Sequence, residues 1–175
     1  MKPIFEMSQI EIAAFIQSHF NLRGIKLVLS GGAATSFYCH NEYVSADLDL
    51  VNVFSILHRK IGQIMEEFGF HEQGRYFVHP ESKFIVEFPP GPLMVGTEPV
   101  LVVEEFPVDT GTLIILSATD CVKDRLAAFY HWGDEQCLRQ AILVKNAVKV
   151  DLSEIERWSV KEGKLQEFER FLSEG

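Results

Sequence analysis

Two aspartates, Asp47 and Asp49, stand two residues apart among apolar neighbours. Side chains alternate between the faces of a β-strand, so this spacing predicts both carboxylates on one face, with Leu48 and Leu50 on the other. Adjacent carboxylates repel each other unless a cation lies between them, and magnesium binds carboxylate together with phosphate oxygens. An isolated pair of this kind is also common on solvated strands, and that alternative stays open for the pair alone.

Ser30, Gly31 and Gly32 follow the apolar run 25–29 and precede a short segment with helical character. Glycine lets the backbone approach a ligand closely, and the free N–H groups of a helix start can bind an anion. A tight turn with positive φ is the plain alternative. A phosphate-binding turn followed by the aspartate pair, within one strand–helix–strand unit, favours a site for a metal–nucleotide complex.

A third carboxylate lies in the apolar run 83–88. Its even-numbered residues are apolar and share one strand face, so Glu87 lies on the other face with Ile85 and Lys83. If this strand lies beside the aspartate strand, Glu87 completes a triad that can bind metal or accept a proton from an attacking hydroxyl. An outward, solvated glutamate is the equally open alternative.

The segments 29–34 and 45–50, together with the later strand acid, resemble the DNA polymerase β-type nucleotidyltransferase superfamily. Within it they most resemble the minimal prokaryotic branch, which includes abortive-infection toxin nucleotidyltransferases. The segment 117–128 is similar to the helix that follows the sheet in this branch and carries a basic residue toward the nucleotide. The resemblance spans about residues 25–140.

This resemblance implies an α/β (α+β) fold, with a mixed sheet and flanking helices followed by an all-helical C-terminal part. It also implies two magnesium ions and a nucleoside triphosphate, whose nucleoside monophosphate is transferred to an acceptor hydroxyl while pyrophosphate leaves. The residues it implies are Asp47, Asp49 and Glu87 for catalysis and metal binding, and Ser30, Gly31, Gly32 and Lys123 for nucleotide binding. The alternative is a non-catalytic nucleotide-binding or toxin–antitoxin module of the same fold.

Hydrophobic periodicity and turn residues predict the elements that position these side chains. The predicted helices are 8–20, 33–39, 55–68, 119–132, 134–148, 152–162 and 164–172. The predicted strands are 25–29, 46–53, 75–78, 83–88, 100–106 and 112–116. We expect a nucleotidyltransferase α/β domain over 1–116 and a helical subdomain over 117–175, whose apolar residues either pack internally or form an interface.

The chain has 175 residues and a formal net charge of −9. An acidic surface repels phosphate backbones, which argues against non-specific nucleic-acid binding. The three cysteines are odd in number and widely spaced, so we expect free thiols. The pattern of apolar residues leads us to expect neither a signal peptide nor a membrane span. We therefore expect a cytoplasmic protein. The resemblance implies that its partners are a nucleoside triphosphate and an acceptor (a small molecule, a protein or an RNA end), with an antitoxin or a second copy of the chain as a further partner.

Overall fold

The computed structural model describes residues 2–54 and 57–174, which contain a seven-stranded mixed sheet, a two-stranded hairpin and seven α-helices. The helices are α1 (Gln9–Asn21), α2 (Gly31–Tyr38), α3 (His58–Glu66), α4 (Ala118–Trp132), α5 (Glu135–Ala147), α6 (Leu152–Lys161) and α7 (Leu165–Ser173). The strands are β1 (Leu27–Ser30), β2 (Asp47–Asn52), β3 (His71–Gln73), β4 (Tyr76–Val78), β5 (Ile85–Glu87), β6 (Met94–Val95), β7 (Glu98–Pro99), β8 (Val103–Val108) and β9 (Gly111–Leu116).

Most predicted elements are confirmed, with three kinds of difference. The short strand β3 and the β6–β7 hairpin were not predicted from the sequence. The strand expected over 100–106 begins later, at Val103, and α2 begins at Gly31, directly after β1. The helix expected over 55–68 is observed from His58, and the first two residues of that prediction, Ser55 and Ile56, lie outside the described residues.

The seven-stranded sheet has the order β3-β4-β5-β2-β1-β9-β8. Strand β1 pairs antiparallel with β2 and parallel with β9, and the central strand β2 pairs parallel with β5. The sheet is therefore mixed, and the predicted fold class is confirmed. The parallel pairing of β2 with β5 is decisive for the site, because it makes the aspartate strand and the Glu87 strand direct neighbours.

Helix α1 covers the apolar side of the sheet. It begins at a capping box, in which Ser8 and Glu11 each bind the other's backbone N–H. Its buried Gln17 side chain donates to the carbonyl of Ile114 at 2.6 Å and accepts from the Ile114 N–H at 3.0 Å. The ring of Phe20 stacks on that of Phe88 with centroids 5.6 Å apart. This side of β5 is thereby buried, which leaves Glu87 on the opposite side.

The C-terminal helices attach to the sheet through α2, which packs on both α4 and α5. Helix α4 packs in turn on α6, whose buried Trp158 stacks on Tyr130 and donates its indole N–H to the carbonyl of Val95 at 3.3 Å. Internal packing is thus confirmed for the buried residues of this region, among them Ile155, Trp158 and Phe168. Exposed apolar residues of α6 and α7 are Leu152, Val160, Leu165 and Leu172.

The three cysteines, Cys39, Cys121 and Cys137, are free and buried, which confirms the prediction of free thiols. Burial raises the pKa of Cys121 to about 12 and that of Cys137 to about 11. Cys121 lies at the junction of α4 and α2, with its Sγ 3.9 Å from the hydroxyl oxygen of Thr35. No helix in the described part of the chain is both long and apolar enough to cross a membrane.

Candidate active site

The three predicted carboxylates lie on one face of the sheet. In the parallel pairing of β2 with β5, Asp47 is the partner of Ile85 and Asp49 is the partner of Glu87. Partners in register point to the same side of the sheet, so Asp49 and Glu87 are neighbours. Asp47 lies on the same face, two residues before Asp49. All three side chains are partly exposed, whereas the intervening Leu48 is fully buried.

Asp49 packs directly against the start of α2. Gly31, the first residue of that helix, has a φ of 67°, and a Cβ at this position would lie 1.9 Å from Asp49 Oδ2. Only glycine leaves room for the carboxylate and adopts this backbone conformation without strain. The sequence suggested that Gly31 lets a ligand approach the backbone closely. In the structure Gly31 makes room for the Asp49 carboxylate, which packs against the N-terminus of α2.

The electrostatic environment of Asp49 disfavours its charge. Burial raises the pKa of Asp49 to about 6, the nearby Arg125 opposes this rise, and the carboxylates of Glu87, Asp124 and Asp47 add to it. A carboxylate surrounded in this way is the kind of group that a bound cation stabilises. Perturbed carboxylates are also concentrated at functional sites, which makes this position a candidate.

Two hydroxyl groups flank the second glycine of the pair. A Cβ at Gly32 would lie 2.8 Å from the hydroxyl oxygen of Ser45 and 3.3 Å from that of Tyr43. The Ser30 hydroxyl donates to the backbone carbonyl of Asp49 at 3.5 Å, and α2 has no side-chain cap within the described residues. The first turn of α2 therefore presents backbone N–H groups and hydroxyls beside the carboxylates.

Glu87 has a cationic neighbour that sequence reasoning missed. Arg75 Nε lies 3.6 Å from Glu87 Oε1, and its guanidinium carbon lies 4.8 Å from the ring centroid of Tyr76. Tyr76 is the antiparallel partner of Glu87, so the β4–β5 pairing brings the arginine to the site. Nothing in the spacing of Arg75 and Glu87 along the chain indicates this contact.

Lys123, which we expected to contact the nucleotide, is paired with carboxylates of α4 and α6. Its ammonium is 2.9 Å from Asp120 Oδ1 and 3.1 Å from Glu154 Oε1, and 7% of its side chain is exposed. Residues two apart on an α-helix point about 200° away from each other. The structure therefore does not bring Lys123 to the aspartates, and the α4 cation whose charge acts on Asp49 is Arg125.

Arg125 is held in place from two sides. Its Nη2 lies 2.6 Å from Asp124 Oδ2, and its Nη1 donates to Gln140 Oε1 at 3.3 Å and to Cys137 Sγ at 3.6 Å. These contacts tie α4 to α5 beside the carboxylates. The guanidinium is thus oriented before any ligand binds, at the junction between the sheet and the helical region.

The carboxylates fit a magnesium ion that arrives with its nucleotide. Among residues 2–54 and 57–174, no group of three or more His, Cys, Asp or Glu side chains converges closely enough to hold a metal ion. Magnesium in phosphate-binding sites is usually held by one or two carboxylates together with phosphate and water oxygens. Asp47 and Asp49, with Glu87 beside them, supply such a donor set without forming a cage for the metal alone.

The mixed sheet with its flanking and C-terminal helices has a nucleotidyltransferase fold. A solved structure with a similar fold is the solution structure of antibiotic-resistance factor ANT(2'')-Ia, an aminoglycoside nucleotidyltransferase, with a TM-score of 0.52 and 13% sequence identity. The match covers 92% of this chain and 95% of that chain, so it shows a shared fold over nearly the whole length. No protein-family model matches the sequence, and a search of curated proteins found no match.

Proposed function

We propose that this protein is a magnesium-dependent nucleotidyltransferase, which moves a nucleoside monophosphate from a nucleoside triphosphate to an acceptor hydroxyl. The observation that carries the proposal is the placement of Asp47, Asp49 and Glu87 on one sheet face, with Asp49 fitted against Gly31 at the start of α2. The fold shared with an aminoglycoside nucleotidyltransferase supports the same class of reaction.

In the proposed reaction, the acceptor oxygen forms a bond to the α-phosphorus and the bond from that phosphorus to the bridging oxygen breaks. Pyrophosphate leaves with the electron pair of the broken bond, and the acceptor proton passes to Glu87. Asp47 and Asp49 hold the metal–triphosphate complex, while the first turn of α2 and Arg125 face the phosphates. A magnesium ion held by Asp47 and Asp49 would supply positive charge to neutralise the charge that develops on the phosphate oxygens.

The first test is a calorimetric titration of magnesium–triphosphate into the protein and into the D47A/D49A variant. The control is E156A/E169A, which removes the same number of charges from exposed positions on α6 and α7. We expect the native protein and the control to bind and the aspartate variant to lose binding. Equal binding by all three proteins would remove the aspartates from any nucleotide site.

A second test identifies the acceptor, which the sequence leaves as a small molecule, a protein or an RNA end. Labelled triphosphates are incubated with the protein and a cell extract, and the label is followed into small-molecule, protein and RNA fractions. Transfer that depends on Asp47 and Asp49 supports the enzyme. Nucleotide binding without transfer to any fraction favours the non-catalytic alternative, including an interaction module of the toxin–antitoxin kind.

A further inference from the structure

A cleft of about 380 Å³ lies between α4 and the β6–β7 hairpin. Its lining runs along α4 from Asp124 and Arg125, past Ala128, to Trp132. Arg125 lies one helical turn after Cys121, whose Sγ is 3.9 Å from the Thr35 hydroxyl on α2, and α4 packs on α2. This end of the cleft therefore lies beside the helix whose first residue packs against Asp49. The volume lies within the range of small-molecule sites in proteins.

One face of α4 forms the floor of this cleft. Positions 125, 128 and 132 follow the spacing i, i+3, i+7 and therefore lie on one helix face. Seven residues of helix rise about 10 Å, so the cleft extends well away from the carboxylates. The small side chain of Ala128 leaves open space midway between Arg125 and Trp132.

An exposed indole closes the far end. Trp132 is 80% exposed, whereas Trp158, the other tryptophan, is fully buried. An aromatic side chain left in water beside a cleft offers a flat surface on which a planar ring can stack. Stacking between aromatic side chains and nucleobases is favourable for every base, because each base has a π-face.

The opposite wall is fixed before any ligand binds. Thr97, in the hairpin turn, donates from its N–H and its hydroxyl to Glu162 Oε1, at 2.9 and 2.6 Å. Glu162 also binds His131 Nε2 at 3.1 Å, and Trp158 donates to the carbonyl of Val95. These contacts tie the hairpin to α4 and α6, so the cleft keeps its shape.

The charges in the lining favour an uncharged occupant. Arg125 is paired with Asp124 at 2.6 Å, and Glu162 faces His131. A triphosphate would therefore be better placed at the first turn of α2 than in this cleft. A nucleobase is planar and neutral, and it is joined through its ribose to the phosphates that the adjoining site is proposed to hold.

We propose that this cleft binds the nucleobase of the donor triphosphate, with the Trp132 indole as its stacking surface. The proposal rests on the proposed function, because it places the base of the same nucleotide. It adds a subsite built from α4 and the β6–β7 hairpin, outside the carboxylate cluster.

The intrinsic fluorescence of the two tryptophans provides the first test. We expect magnesium–ATP to quench the fluorescence of the native protein, because the base covers Trp132. Magnesium–tripolyphosphate, which has phosphates but no base, should bind without quenching. In W132F the remaining tryptophan is the buried Trp158, so ATP should bind with no change in fluorescence. Quenching that persists in W132F would overturn the assignment.

Affinities provide the second test and separate this inference from the proposed function. W132A should weaken ATP binding roughly tenfold, as loss of one base–aromatic stack does, and leave tripolyphosphate affinity within about twofold of native. The control is F5A, which removes another exposed aromatic from a different cavity and should bind both ligands normally. Native ATP affinity in W132A would overturn the subsite alone. Failure of the native protein to bind either ligand would overturn the proposed function itself.

Discussion

At the scale of single residues, Asp49 carries a charge that the folded protein disfavours. Its pKa is raised from 3.8 to about 6, chiefly by burial, so the folded state holds the proton more tightly than the unfolded chain does. The contribution to stability is therefore fully present below about pH 4 and is lost as the pH rises through about 6. Folding energy is given up at neutral pH to keep this carboxylate beside α2.

We therefore expect D49N to be more stable than the native protein at pH 7.5 without divalent cations. A shift of this size corresponds to about 3 kcal/mol, so we expect a gain on the order of 1–3 kcal/mol, and little difference near pH 4. Urea unfolding with a chelator at both pH values measures it, with D109N as the control at an exposed turn. An equal difference at both pH values would show that the charge is not its source. With magnesium–triphosphate present the order should reverse.

Glu87 should matter for turnover more than for nucleotide binding. It stands alone on β5, without the partner two residues away that Asp47 and Asp49 provide for each other, and this suits a group that accepts the acceptor proton. E87Q keeps the shape and removes the charge, so the rate should fall on the order of a hundredfold or more, as for loss of a general base. Nucleotide affinity, measured by calorimetry, should stay within a few-fold, whereas D49N should lose both rate and affinity.

The control for E87Q is E156Q, an exposed glutamate on α6. A normal rate in E87Q would remove Glu87 from the reaction. Another glutamate would then have to be the third carboxylate. The sheet order argues against Glu104 and Glu105, because they lie on the edge strand β8, four strands from β5. The exposed Glu81, in the turn before β5, would remain as the carboxylate to examine.

At the scale of secondary-structure elements, the join between β1 and α2 depends on Gly31. G31A should cost stability twice, through the positive φ and through the collision with Asp49 Oδ2. The control is G133A at the end of α4, which has the same φ of 67° but no described atom within 4 Å of the added Cβ. The left-handed conformation alone costs about 1–2 kcal/mol in G133A. G31A should cost clearly more in urea unfolding and should lose nucleotide binding, and equal costs would contradict the collision.

The sequence predicted the carboxylate face because strand alternation is a local rule. Alternation within each strand assigns Asp47 and Asp49 to one face of β2 and Glu87 to one face of β5. The parallel pairing of β2 with β5 places these carboxylates on the same side of the sheet. That pairing was a condition of the prediction, since no local pattern states which strands become neighbours. Arg75 lay beyond prediction for the same reason, because it reaches Glu87 through the register of β4 and β5.

For α4, a local signal was available. Lys123 falls on the same helix face as Tyr130, seven residues further on, and both contact α6. Arg125 falls with Ala128 on the face that turns to the cleft. Helical spacing would therefore have favoured the arginine. The similarity of the segment 117–128 to the family helix pointed to Lys123 instead. An alignment along the chain does not distinguish two basic residues that stand only two positions apart.

At the scale of the whole molecule, the parts 1–116 and 117–175 share one continuous hydrophobic core. Helix α2 packs on α4 and α5, and the Tyr38 hydroxyl donates to the carbonyl of Leu116 at 2.6 Å. We therefore expect a single unfolding transition rather than two. Far-ultraviolet circular dichroism and fluorescence from the buried Trp158 should give the same denaturation midpoint. Separate midpoints would show that the two parts unfold independently.

The buried thiol of Cys121 can report how often the junction between α2 and α4 opens. A thiol with a pKa of about 12 is almost entirely protonated at neutral pH and reacts with alkylating reagents only when its surroundings open. Since Cys121 lies against Thr35, between α4 and the first turns of α2, its labelling rate counts the openings of that junction. A ligand that bridges α2 and α4 should lower the alkylation rate of Cys121, whereas a ligand bound elsewhere on the surface should leave that rate unchanged. The opening frequency of this junction can thus be measured at one sulfur atom, once the labelling of Cys121 is resolved from that of Cys39 and Cys137.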